Sequence, residues 1–258
     1  MRKQITLEEQ KKIQLEMLVE IDSFCRTHNI KYILAFGTLL GAIRHKGYIP
    51  WDDDVDISMP LEDMKKFKEE FKSEKLRYID VDNESGYEYH FSRIIYKPTY
   101  SKLGTYRKTY GINIDLYPTI EVSSQQDINQ QVIEKVRPIL KKRLSMIRLR
   151  NIVAKFVPTS SIWGLKHIVK RYRDVSFNLF SCRGGGAFHC FAGPIDKFEL
   201  HTFDFDPFNE VVEIDFEGYK FMAPMRYHEY LTKRYGNYMQ LPPKDERHPY
   251  HGRTCYWR

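Results

Sequence analysis

Apolar residues recur at Ile13, Met17, Ile21, Phe24 and Cys25, the three- and four-residue spacing of a helix that buries one face. Thr6-Leu7-Glu8-Glu9 ahead of them has the form of a capping box, and Asn29 suits a C-terminal cap, so a helix ending near His28-Asn29 is predicted. The pattern then changes. "IKYILAF" (Ile30 to Phe36) reads as a buried strand that stops at Gly37, and Thr38 to Arg44 as the start of a short helix. After the turn chemistry of "HKGYIP", a strand is expected through "DDDVDIS". Pro60 then opens a helix with Leu61, Met64, Phe67 and Phe71 on one face. Further strands are predicted around Tyr78–Val81, Tyr89–Tyr96 and Ile112–Leu116.

From about Ile128 to Arg173 the spacing is helical, with Val132, Val136, Leu140, Leu144 and Ile147 on one face and Pro138 expected to kink or restart the helix. "SCRGGGAFHCFAG" reads as a loop and "EVVEIDFEGYKFMAP" as a hairpin turning at Glu217-Gly218. A short helix around Tyr227 to Tyr235 and a Pro- and His-rich tail complete the chain. The order of elements predicts an α/β (α+β) fold in which helices flank a mixed sheet. Three regions are expected: a catalytic core over 1–122, a basic helical segment over 123–180, and a C-terminal hairpin and helix over 181–258 that completes the active-site domain.

Composition sharpens this picture in three places. Hydrophobic content of 42%, with 16 Phe, 18 Tyr and 3 Trp in 258 residues, is ample for a core and argues against disorder. "MRKQITLEEQKK" lacks a signal peptide's apolar region, and no window approaches the ~20 apolar residues of a spanning helix, so a soluble, cytoplasmic protein is expected. Cys25, Cys182, Cys190 and Cys255 form no CxxC pair and read as free thiols in or near a core. A metal site from Cys182, His189 and Cys190 is the weaker reading. The net charge of +7 is local: Lys135 to Arg173 holds 12 Lys/Arg and no acid, while the rest has 29 basic against 34 acidic residues. That segment reads by default as a solvated helix face. Its alternatives are an anionic membrane surface or a polyanionic partner; nucleic acid is the weakest, since the remainder is acidic and carries no recognition motif.

The chemistry gathers around "IPWDDDVDIS". With period-two alternation, Val55 and Ile57 face the core while Asp54 and Asp56 share the other face; Asp52 joins them if the strand begins early, and Asp53 is expected to point away. Two carboxylates that close repel each other unless a cation sits between them, and Mg²⁺, with Mn²⁺ as the alternative, is the simplest one. Gly37 and Thr38, between strand and helix, suit a phosphate. In "YGINIDLYP", Asp115 is an isolated acid in an apolar strand, available as a third carboxylate. Gly-Thr, D-x-D and a later acid together have the layout of a phosphoryl-transfer site with metal ligands Asp54, Asp56 and Asp115.

The run "FGTLLGAIRHKGYIPWDDDVDISMP", residues 36–60, resembles the LicD family, relatives of the fukutin-type transferases. "DFEGYKFMAP" and "YLTKRYGNYMQLPPKDERHPYH" resemble its C-terminal part. The resemblance implies a nucleotidyltransferase-like fold. It also implies transfer of a phosphorylated headgroup, phosphocholine or a phospho-polyol, from a CDP-activated donor to a glycan hydroxyl, with CMP released. Acceptors in such a family are precursors of teichoic acid, capsule or lipopolysaccharide, often lipid-linked, which favours work at the cytoplasmic membrane face. It carries metal ligation onto Asp54 and Asp56, and the wider nucleotidyltransferase pattern carries the third acid onto Asp115. Two positions depart: Gly37-Thr38 replaces Gly-Ser, and Tyr250-His251 replaces a histidine pair, which weakens a catalytic reading of His248 and His251. Arg44, His45 and Lys46 are candidates to neutralise phosphate charge, against an ordinary solvated turn. Trp51 is a candidate face for a quaternary ammonium, against a plug beneath the turn. A D-x-D glycosyltransferase using a nucleotide-sugar and a non-catalytic binding module are the competing readings.

Overall fold

The computed structural model describes residues 3–84, 87, 89–102, 110–153, 165–192, 199–249 and 254–258. In chain order the elements are β1 (Gln4–Ile5), α1 (Leu7–Thr27), β2 (Ile33–Leu34), α2 (Phe36–His45), β3 (Asp56–Pro60), α3 (Leu61–Glu70), β4 (Leu76–Ile79), β5 (Ser92–Tyr96), β6 (Thr99–Lys102), β7 (Asn113–Ser123), α4 (Gln126–Val153), α5 (Leu165–Phe180), β8 (Gly186–Cys190), β9 (Thr202–Phe203), β10 (Val211–Phe216), β11 (Tyr219–Pro224), α6 (Tyr227–Tyr235) and β12 (Thr254–Trp257).

The first helix forms as its sequence requires. The Thr6 hydroxyl accepts from the Glu9 N–H at 3.1 Å, the Glu9 carboxylate accepts from the Thr6 N–H at 2.9 Å, and Asn29 takes a positive φ of 51° just beyond the end. Its buried face holds Ile13, Met17, Ile21 and Cys25, and also Gln10 and Gln14, whose use becomes clear below.

The central sheet runs β2-β3-β7-β5-β4, with β8 pairing β7 and β9 pairing β8. Only β3 and β7 pair in parallel; the other described neighbours are antiparallel, so the sheet is mixed as expected. The eleven-residue β7 is the spine: its first half pairs β5, and its second half pairs β8. Val55, Ile57, Ile94, Ile114 and Leu116 are sealed inside with α1 residues Leu18 and Ile21. On the second half of β7, Ile120 and Val122 pack with Val132, Val136 and Leu140 of α4 and Tyr172 and Phe180 of α5. The basic helical segment is thus tied to the sheet by its apolar stripe.

Several boundaries differ from expectation for physical reasons. The predicted strand over 30–36 is paired only at Ile33–Leu34, because Phe36 turns to a φ of 46° to start α2. "SCRGGGAFHCFAG" is not all loop. Gly184 and Gly186 take positive φ, and a Cβ on Gly185 would stand 2.3 Å from the Val122 carbonyl oxygen; the chain then enters β8. Pro138 lies inside a continuous α4. The apolar stripe of α4 is buried only as far as Leu140, while Leu144 is exposed. The predicted hairpin is β10 and β11, with Glu217 and Gly218 both at positive φ. Among the described residues no helix is long and apolar enough to cross a membrane. Cys25, Cys190 and Cys255 are buried free thiols and Cys182 is an exposed one.

Candidate active site

The site forms where α2 leaves β2 beside the leading edge of β3. Phe36 bears the strained φ, and a Cβ on Gly37 would lie 2.8 Å from Asp52 Oδ2, so glycine is required for that carboxylate to approach the first turn of α2. The position the sequence reserved for a phosphate is therefore bordered by an acid of the same chain. Thr38 is buried, and its hydroxyl accepts from the Asp56 N–H at 2.8 Å. The Asp56 carbonyl in turn accepts from the Ala35 N–H at 3.0 Å. Thr38 thus fixes the strand start that carries Asp56. Thr38→Val is expected to leave that N–H without an acceptor and to cost about 1–3 kcal/mol in a denaturant melt, whereas Thr38→Ser costs far less. Equal losses in the two variants would show that the methyl group matters instead.

The aspartates are arranged differently from a simple alternation. Strand pairing begins at Asp56, and Asp52 to Val55 precede it in irregular backbone, so period two does not govern Asp53. Asp53 is buried and does not point away; one ligand oxygen from each of Asp52, Asp53 and Asp54 lies within 4.8 Å of the others. The loop is anchored from α1: Gln10 Nε2 and Gln14 Nε2 donate to the Asp53 carbonyl at 2.6 and 3.3 Å, and Gln14 Nε2 also reaches the Asn113 carbonyl at 3.2 Å. Burial, with the charge of Asp54, pushes the Asp52 carboxyl up to about 7. Burial, then the charges of Asp54, Asp115 and Asp52, pushes Asp56 well above the usual carboxylate range. Asp56 Oδ1 is buried without a hydrogen-bond partner. A buried oxygen with no donor, near three carboxylates whose ligand oxygens lie within 4.8 Å of one another, suits a hard divalent cation.

Asp115 stands beside Asp56 in the parallel β3–β7 register, and its N–H donates to the Val55 carbonyl at 3.0 Å. Both of its oxygens are already engaged. Arg93 Nε donates to Oδ1 at 2.7 Å and Nη2 to Oδ2 at 3.1 Å; Asn113 Nδ2 donates to Oδ1 at 2.5 Å, and the Tyr117 hydroxyl reaches Oδ2 at 3.4 Å. Arg93 and Asp115 are each 4% exposed, and the guanidinium lies 3.9 Å from the Tyr89 ring centroid. Asp115 is thus a neutralised neighbour of the cluster, and any ligand role would share oxygens with Arg93.

The structure brings Gly37, Thr38, Asp52, Asp54, Asp56 and Asp115 together. Arg44, His45 and Lys46 lie at the other end of α2; eight residues of helix separate Thr38 from Lys46, about 12 Å. Arg44 Nη1 donates to the Tyr238 carbonyl at 2.8 Å, and its Nε to His45 Nε2 at 3.0 Å, so it braces the C-terminal segment. Lys46 is exposed in a left-handed cap. Trp51 is half-buried, edge-on to His45 at 6.3 Å, with Arg247 5.5 Å from its centroid. That is plug-like packing between α2 and the tail. His248 is exposed, and His251 lies outside the described residues. Nor is there a thiol–imidazole site at Cys182: it is exposed, while His189 Nδ1 meets the Thr202 hydroxyl at 2.8 Å and Cys190 Sγ lies 3.5 Å from Ser58 Oγ. Sequence reading passed over Arg93, Gln10 and Gln14. The glutamines had left a signal, two amides four residues apart on an otherwise apolar helix face.

The parallel β3–β7 pair thus presents acids beside a Gly-Thr helix turn. Residues 29–142 match the family model described as LicD/FKTN/FKRP, nucleotidyltransferase domain. Over that part the chain is similar to the LicD family. It is 29% identical over 267 aligned residues to the lipopolysaccharide cholinephosphotransferase LicD of Haemophilus influenzae, covering 98% of this chain and 99% of that protein. Shorter similarities link it to two uncharacterised rickettsial proteins. One, from Rickettsia typhi, is 40% identical over 68 residues, 26% of this chain and 22% of that protein; the other, from Rickettsia prowazekii, is 46% identical over 48 residues, 19% and 18%.

Proposed function

We propose that this chain transfers phosphocholine from a CDP-activated donor to a hydroxyl of a lipopolysaccharide-type glycan, with a divalent cation, Mg²⁺ or Mn²⁺, and releases CMP. The similarity along almost the whole chain to a lipopolysaccharide cholinephosphotransferase carries the reading. The acid cluster supports the chemistry. An ion held by Asp54 and Asp56 would supply positive charge to the phosphate oxygens as charge builds on them. Asp56 offers its unpartnered Oδ1, and Thr38 keeps that strand end in place. The acceptor oxygen forms a bond to the distal phosphorus, the P–O bond to CMP breaks, and the hydroxyl proton passes to a carboxylate of the cluster. The test is CMP release from CDP-choline, CDP-ribitol and CDP-glycerol with a glycan acceptor, in Mg²⁺ or EDTA. Metal-dependent release from CDP-choline alone is the expected result; release from a polyol donor would change the headgroup. Silence with all three, together with turnover of UDP-sugars, would sink the proposal.

The acceptor's setting is addressed by α4. Its last turns expose Leu144, Leu149 and Ile152 at 43, 50 and 59%, among exposed Lys141, Lys142 and Arg148. Apolar side chains surrounded by cations suit an anionic membrane surface, where each basic residue contributes about 1 kcal/mol. The protein is expected to sediment with phosphatidylglycerol vesicles and not with phosphatidylcholine ones. The triple variant Leu144→Ser, Leu149→Ser, Ile152→Ser should lose most of that binding; binding unchanged in the triple variant would reduce the face to a solvated one.

A further inference from the structure

The acid cluster raises a problem for any phosphorylated ligand. Asp52, Asp54 and Asp56 repel a diphosphate, and Arg93 is already committed to Asp115. Arg234, in the last turn of α6, is placed differently. Its guanidinium lies across the ring of Phe36, 5.5 Å from the centroid, directly before the Gly37-Thr38 turn. Its Nε is buried with no hydrogen-bond acceptor, and among the described residues Arg234 makes no ion pair. Two neighbours orient it: Nη1 stands 3.4 Å from His201 Nε2, with His201 edge-on to Phe36 at 5.6 Å, and the guanidinium hydrogen-bonds Tyr235 and lies 5.7 Å from its ring centroid. Tyr230 of α6 also lies 6.3 Å from the Phe36 ring, so α6 packs against the start of α2, where Gly37 and Thr38 follow.

A basic residue in the last turn of a helix is ordinary, because it offsets the helix dipole. Lys233 already does that from an exposed position. Arg234 instead turns inward with a donor unused, which costs free energy unless a ligand accepts from it.

We propose that Arg234 is the anion-binding residue of this site and receives the diphosphate of a nucleoside-diphosphate ligand through its Nε–Nη2 edge. The inference rests on the nucleotide-linked donor proposed above. The planar fork matches two phosphate oxygens, and the aromatic face of Phe36 holds the plane in position. α6 thereby gives the C-terminal segment a direct part in ligand recognition, and strain at Phe36 keeps ring and guanidinium over the helix turn.

The test is calorimetric binding of CDP, inorganic pyrophosphate and cytidine in Mg²⁺, for the wild type, Arg234→Lys, Arg234→Met and the control Lys233→Met. Arg234→Met is expected to weaken CDP and pyrophosphate by about tenfold or more, and Arg234→Lys by several-fold because it loses the fork. Cytidine binding and the Lys233 control should stay unchanged. If Arg234→Met fails to fold in a thermal melt, the lysine variant decides the matter. CDP binding at the wild-type level in Arg234→Lys and Arg234→Met, an equal loss of cytidine, or a wild type that binds neither diphosphate would overturn the proposal. Arg234-dependent pyrophosphate binding without CMP release from any CDP donor would keep the anion site and remove the donor assignment.

Discussion

Asp56→Asn is expected to abolish transfer and yet to raise the melting temperature of the metal-free protein. The side chain is 9% exposed, has an oxygen without a donor, and faces three other carboxylates. Removing its charge takes away the metal ligand proposed above, a loss expected to cost on the order of 10²–10³ in rate. It also removes a buried charge that a hydrogen bond from Tyr117 only partly offsets, worth about 1–3 kcal/mol of stability, or several degrees for a chain of this size. The pH dependence carries the same sign. An aspartate in the unfolded chain titrates near 3.9. Asp52, pushed up to about 7, and Asp56, raised well above the carboxylate range, bind protons more readily in the folded state. The metal-free fold therefore gains stability as pH falls through about 7 towards 4, and loses it as pH rises. Melts in EDTA at pH 5.5 should exceed those at pH 8, with a shallower slope for Asp56→Asn. Divalent cations should reverse the trend, because ligation requires the ionised form. A variant that melts below the wild type in EDTA would show that Asp56 is already compensated by a partner.

The largest loss of stability should follow Arg93→Met. The bidentate pair to Asp115 is buried on both sides, so truncating the cation strands a carboxylate against Asp56. Breaking one side of such a pair costs about 3–5 kcal/mol. The double variant Arg93→Met, Asp115→Asn should recover a substantial part of that loss in urea titrations, since no stranded charge remains. If the double variant is no better than Arg93→Met alone, stacking of the guanidinium on Tyr89 is the dominant contribution instead.

Much of the fold was legible wherever one residue type had one local use. The Thr6–Glu9 box, the Glu217-Gly218 turn and Pro60 ahead of α3 marked their elements to within a residue or two. β8 was missed because three glycines mask the entry to a strand whose main partner, β7, lies far off in sequence. At the site, Thr38, Asp54 and Asp56 could be named because strand, turn and helix adjoin in the chain. The placing of Asp53 failed because alternation was extended back into residues that are not paired. Arg93 could not have been found by spacing. Its meaning comes from its register opposite Asp115 across β5 and β7, and register is a property of the assembled sheet.

The β3–β7 pairing also bears on how fast the chain can fold. It joins Asp56 to Asp115 in parallel, so a long intervening stretch must close before the contact forms. Arg93 meets Asp115 across a shorter loop, so the longer closure gathers the Asp52, Asp54 and Asp56 carboxylates beside an ion pair expected to form earlier. Mildly acidic conditions, which partly discharge the cluster, should therefore speed refolding in stopped-flow experiments, while Asp56→Asn should refold quickly at every pH. The charges placed for chemistry would then govern the tempo of the chain's own search for its native state.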